Sequence, residues 1–256
     1  MGDVPNTLEF AECGEGIGDA TAVLRNNAAS AGLDAAVPTC PGWTVRDLLT
    51  HQGLVHRWAT ATVSGQKPRP DAEVKAEAGA AEDLLEWLDD GMVGLLNALA
   101  AAPADLDVPF LLDAPAPRQA WARRQCHETT VHGIDAMAAR LGRAPRPDEL
   151  WFSPALARDG IDELLLGFAP RPRYNPRSEI VGRIAVVTDD ALGAWTVTVG
   201  PDGSTAKPGD DPDATARISG SARGVYAGLW NRGRHFSTDG DGSLVESFLE
   251  QLRITW

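Results

Sequence analysis

The sequence predicts a mainly α protein with a smaller α+β domain. An N-terminal antiparallel four-helix bundle is expected over 1–168, and a compact α+β domain over 174–256. Three observations carry this. Up to Leu141, apolar residues recur at three-four spacing, the period of a helix with one buried face. At 169–173 the chain turns to alternating proline and arginine, a linker composition. Beyond it Ile184, Val186 and Thr188, and then Trp195, Val197 and Val199, recur at every second position, the period of a strand.

The first helix is predicted from Leu8 to Ala31 and stops before Gly32. A proline-bearing link, Val37–Gly42, leads to Thr44-Val45-Arg46-Asp47. This resembles a capping box, with Trp43 and Leu48 placed as a hydrophobic staple, so a second helix starts there and runs to Val63. A third, Glu73–Ala102, carries Leu84, Leu85, Leu88, Met92, Leu95, Leu96 and Leu99 on one stripe. The fourth begins near Pro117, a residue suited to a first turn, and ends at Leu141-Gly142. A shorter helix is expected from Ser153-Pro154 through Phe168. In the second domain the turn Asp189–Gly193 joins the two alternating runs into a hairpin. A third strand, Thr215–Gly220, leads into a helix from Ala222 to Asn231. The last helix begins at Ser243-Leu244-Val245-Glu246, another capping-box pattern, and buries Val245, Phe248, Leu249 and Leu252.

Charge and composition narrow the function classes. A formal net charge of −13, with no basic run, argues against a nucleic-acid partner or an anionic membrane. MGDVPNTLEF is acidic and lacks the apolar core of a signal peptide. No apolar run approaches the roughly 20 residues that span a bilayer. Cys13, Cys40 and Cys126 show no CxxC spacing, which fits a reducing compartment and no disulfide framework. The expectation is a soluble, cytoplasmic protein.

The stretch Arg124–Ile134, RQCHETTVHGI, carries the chemistry. It looks like the zinc-protease pattern H-E-x-x-H with one residue too many. Successive residues turn a helix by about 100°, so His127 and His132, five apart, diverge by about 140° and cannot chelate one ion. Glu128 and His132, four apart, share a face. Trp121, Gln125, Glu128, His132 and Asp135 fall on one seam of this helix, and Leu48, His51, Val55 and Trp58 on one seam of the second. His51, Glu128 and His132 would then converge inside the bundle, a donor set that suits Zn²⁺ with an open position or a facial-triad Fe²⁺. The competing readings are a core histidine hydrogen-bonded to a neighbour and a solvated i,i+4 pair. An inward glutamate without a partner would be costly to bury, which favours convergence. His56 is expected to face elsewhere, Cys126 to be a buried inert thiol, and His235 to be exposed in the loop Gly233–Gly242.

PTCPGWTVRDLLTHQGLVHRWA followed by RRQCHETTVHGIDAMAARLG resembles the mycothiol-dependent maleylpyruvate isomerase family, over nearly the whole chain. The resemblance implies a DinB-like N-terminal bundle and a sterol-carrier-protein-like C-terminal domain. It implies a divalent metal held by His51, Glu128 and His132, with mycothiol as thiol cosubstrate. It also implies an arginine from the C-terminal domain near the metal; LWNR at 229–232 resembles the matching segment, which points to Arg232, with Arg234 close behind. The implied reaction is cis–trans isomerisation of a maleylpyruvate-like acid through a metal-bound thiolate. Permanent transfer of the thiol to an electrophile (an S-transferase) and a metal-binding regulatory module without turnover are the alternatives.

Overall fold

A computed structural model describes residues 8–112, 117–171, 173–190 and 193–253. Three sequence readings fall outside these: the N-terminal segment 1–7, Pro172 of the linker, and 191–192 of the hairpin turn. The fold class is as expected, mainly α with a smaller α+β part. The described residues form two compact units, Glu9–Pro145 and the residues from Arg146 onward together with Leu8.

The first unit holds α1 (Phe10–Ala31), α2 (Val45–Val63), α3 (Asp71–Ala80), α4 (Leu84–Ala101) and α5 (Pro117–Leu141). Helix α2 starts where its capping box demands. Thr44 Oγ1 accepts from Asp47 N at 3.3 Å, while Asp47 Oδ2 accepts from Thr44 N at 2.8 Å. The predicted third helix is two helices. Asp83 Oδ1 accepts from Leu85 N at 2.8 Å and Glu86 N at 3.2 Å, so this carboxylate caps a new helix instead of lying inside a continuous one. Helix α5 ends at Gly142, whose φ of 67° is the left-handed geometry of a helix stop.

Gly53 is the point of close approach between α2 and α4. A Cβ there would lie 2.1 Å from the Trp87 ring. Two contacts hold that ring, Arg57 stacking over it at 3.7 Å and Trp87 Nε1 donating to Glu77 Oε1 at 2.8 Å, and Arg57 Nη2 donates to the backbone carbonyl of Trp87 at 2.8 Å.

The second unit contains α6 (Pro154–Asp162), which passes into a π-helical turn over Glu163–Phe168. It also contains a five-stranded sheet and helices α7 (Ala222–Leu229) and α8 (Gly242–Gln251). The strands are β1 (Gly182–Thr188), β2 (Ala194–Gly200), β3 (Gly203–Pro208), β4 (Ala216–Gly220) and β5 (Ser237–Gly240), in the order β3-β2-β1-β4-β5. The predicted hairpin is present, with Val186 opposite Trp195 and Ile184 opposite Val197, all four buried. Strands β1 and β4 pair in parallel and the other neighbours are antiparallel. Helix α6 belongs to this unit because its surroundings anchor there. Trp195 Nε1 donates to Asp162 Oδ1 at 3.1 Å, and the Phe152 and Tyr226 rings meet edge-on at 5.5 Å.

Strands β3 and β5 were not foreseen. Both are sheet edges of polar, largely exposed residues, so backbone pairing holds them and no apolar alternation marks them. Helix α8 is capped by Asp241, which accepts from Ser243 N at 3.0 Å and Leu244 N at 3.2 Å, and not by the Ser243–Glu246 box. Glu246 instead pairs with Arg234. Helix α7 stops two residues early because Asn231 adopts a φ of 62°. Among the described residues no helix is long and apolar enough to cross a membrane.

Gly53→Ala should displace the Trp87 ring and with it the Arg57 and Glu77 contacts. The expected cost is about 1–3 kcal/mol, at about 2–4 °C of Tm per kcal/mol, read by thermal unfolding. An unchanged Tm would show that α2 and α4 are not closely packed there.

Candidate metal centre

Helix α5 runs through the first unit with every side chain but one from Ala120 to Ala138 buried, Arg123 being the exception. Arg124, Gln125, His127, Glu128, Thr129, Thr130, His132 and Asp135 are among the buried ones, so a polar segment occupies the position of a core helix. Polar groups withdrawn from water need partners. Theirs come from one another, from α2 and from the loop before it.

His51 on α2 and Glu128 and His132 on α5 come together, with one donor atom from each within 4.8 Å of the others. Glu128 Oε1 lies 3.4 Å from His51 Nε2 and 3.4 Å from His132 Nε2. These are long for charge-assisted hydrogen bonds. Donors about 2.0–2.2 Å from a single zinc ion at tetrahedral angles lie about 3.3–3.5 Å apart, which matches the two distances from Glu128 Oε1. His132 Nε2 is buried without a hydrogen-bond partner, although a neutral imidazole nitrogen in that position needs one. A cation between the three donors would satisfy it. The residues therefore fit a divalent metal, and two imidazoles with one carboxylate leave a coordination position for chemistry.

The surrounding contacts orient the donors. His132 Nδ1 is 2.9 Å from Asp135 Oδ2, and Asp135 in turn accepts from Thr39 Oγ1 at 2.6 Å and Cys40 Sγ at 3.2 Å. A carboxylate on the far nitrogen fixes the ring so that Nε2 faces the centre. Thr39 and Cys40 lie in a loop closed by Val37 N to Trp43 O at 2.9 Å and Trp43 N to Cys40 O at 3.0 Å. The same loop sets the Trp43 ring 6.1 Å from His132, nearly parallel, and 5.1 Å from His51. On the other oxygen of Glu128, Arg124 Nη2 donates at 3.0 Å.

Burial works against the Glu128 charge, yet the neighbouring His132 and His51 imidazoles and the Arg124 guanidinium hold its carboxyl well below the usual range. Burial lowers the His51 pKa, leaving a neutral ring with a lone pair to offer. Burial also opposes charge on His132, but Asp135 and Glu128 raise its pKa above the ordinary value. A metal ion would therefore compete with a proton for this ring.

His127 is buried on the same helix but is not part of the donor cluster. His56 lies outside the donor cluster and is fully buried, its Nε2 2.8 Å from Gln52 Nε2 and 3.1 Å from Thr129 Oγ1. Burial pushes its pKa down to about 3, so it stays neutral. Cys126 is buried, as expected, and His235 is half-buried instead of exposed. In the second unit Arg232 is half-buried, with Nη1 donating to Trp230 O at 2.7 Å; Arg234 is exposed and paired with Glu246. Thr39, Cys40, Trp43 and Arg124 were not named from sequence as residues of the site. Only Arg124, four residues before Glu128, carried a spacing that pointed to it.

The sequence matches the mycothiol maleylpyruvate isomerase N-terminal domain over residues 15–137 and the MDMPI C-terminal domain over residues 155–247. The chain belongs to the mycothiol-dependent maleylpyruvate isomerase family. Two solved structures share the fold of this family member. A crystal structure of the mycothiol-dependent maleylpyruvate isomerase aligns at 14% identity with a TM-score of 0.61, covering 91% of this chain and 93% of that one. A mutant of that isomerase aligns at 13% identity and 0.62, with the same coverage of 91% and 93%. No curated protein matches the sequence.

Two outcomes follow from the site geometry. His132→Ala should abolish tight zinc binding while His127→Ala leaves one ion per chain, counted by elemental analysis; equal loss from both would overturn the donor assignment. Asp135→Asn should weaken zinc affinity by about 10–100-fold in competition with a chelating dye, because the ring loses its orienting carboxylate.

Proposed function

We propose that this chain is a metal-assisted, mycothiol-dependent isomerase of a maleylpyruvate-like acid, with the ion held by His51, Glu128 and His132. The observation that carries the metal reading is the convergence of three buried or half-buried donors around an unpartnered His132 Nε2. Family membership supports the thiol and the reaction class.

A zinc ion bound there supplies a Lewis acid at which a thiol ionises near neutral pH. His51 and His132 contribute neutral nitrogens and Glu128 one negative charge. Asp135 keeps the His132 proton on Nδ1, away from the donor atom. Trp43 covers the imidazoles with an apolar face, which limits the access of water. The thiolate of mycothiol adds to the carbon–carbon double bond of the acid, the new single bond rotates, and elimination returns both the thiolate and the trans isomer. No thiol is consumed. Arg232 is proposed to bind a substrate carboxylate through its guanidinium fork.

Metal-loaded protein supplied with mycothiol and maleylpyruvate should form the trans product while total thiol stays constant. Stoichiometric loss of thiol into an adduct would replace this reading with an S-transferase, and inertness towards a panel of electrophiles would replace it with a binding role. Chelation should abolish turnover. Arg232→Ala should raise KM or lower kcat without lowering metal content.

A further inference from the structure

Glu128 turns its two carboxylate oxygens to different partners. Oε1 faces the imidazole nitrogens of His51 and His132 at 3.4 Å each, whereas Oε2 accepts from Arg124 Nη2 at 3.0 Å. Arg124 stands one helical turn ahead on α5 and is 1% exposed, so water cannot take its place at Oε2. A carboxylate beside a cation can offer one oxygen or both, and the second mode fills a position that would otherwise accept a ligand. A guanidinium on one oxygen removes that choice. We propose that Arg124 is a positioning residue that confines Glu128 to a single donor oxygen and so keeps a coordination position open for the thiol. This rests on the metal centre proposed above and adds the residue that makes it a reaction site instead of a closed structural one.

A buried arginine paired with a glutamate could also serve stability alone. The two roles differ in what the metal reports. Cobalt(II) in place of zinc absorbs visible light strongly when four-coordinate and weakly when five- or six-coordinate, and a bound thiolate adds a sulfur-to-cobalt band in the near ultraviolet. A stability role moves neither signal.

The test uses the full chain loaded with cobalt(II) and titrated with 2-mercaptoethanol, comparing unsubstituted protein with Arg124→Met, which keeps the length of an apolar side chain but removes the donors. The unsubstituted protein should show strong visible absorption and gain the near-ultraviolet band. Arg124→Met should still bind cobalt, lose visible intensity, and need about tenfold or more thiol for half-saturation, since the thiol must now displace a carboxylate oxygen. An Arg124→Met spectrum and thiol affinity equal to those of the unsubstituted protein would overturn the role of Arg124 alone. Should circular dichroism show that Arg124→Met does not fold, the unsubstituted protein decides: weak visible bands that ignore thiol overturn the proposal, and strong bands that respond to it support it. Failure of the unsubstituted protein to bind cobalt at all overturns the metal centre and this proposal together.

Discussion

The carboxylate of Glu128 sits in the middle of a helical core, and much of the first unit is arranged around it. An unpaired charge in that position would cost several kcal/mol. Three side chains make it tolerable: His51 from α2, and Arg124 and His132 from the turns of α5 on either side of it. This requirement accounts for features that otherwise look like poor design. Helix α5 is the most buried of the long helices and yet is rich in charged and hydroxyl side chains. The loop ahead of α2 is folded back on itself, with Thr39 and Cys40 donating to Asp135, because the His132 ring needs a fixed partner on its far nitrogen.

The geometry also separates residues that look alike in the sequence. Of the five histidines in the chain, two join the donor cluster. His127 is one residue from Glu128 and points about 100° away from it around the helix. His56 is buried in a neighbouring cluster with Gln52 and Thr129, where its Nε2 takes part in hydrogen bonding and its low pKa keeps it uncharged. A neutral, hydrogen-bonded histidine close to the centre ties α2 to α5 without competing for a cation.

How much of this could be read in advance depended on whether a feature is local or periodic. His51, Glu128 and His132 were legible because helix geometry alone sorts residues into seams, and the capping box at Thr44–Asp47 was legible because both partners lie within four residues. The break at Asp83 was missed because leucines at helical spacing continue past it, and periodicity outweighed one capping carboxylate. Strands β3 and β5 were missed because edge pairing is a backbone matter. Thr39, Cys40 and Trp43 approach the centre through the path of a loop, which no spacing rule describes. Arg124 had the right spacing, but arginine is so seldom fully buried that spacing alone does not mark it.

The central claim is that His51, Glu128 and His132 hold one divalent ion, and X-ray absorption at the zinc edge of the metal-loaded full chain tests it most directly. The account predicts a stoichiometric ion with two imidazole nitrogens and one carboxylate oxygen at about 2.0–2.2 Å, and loss of that signature in His51→Ala. A zinc shell without imidazole scattering, or an identical spectrum from His51→Ala, would contradict it.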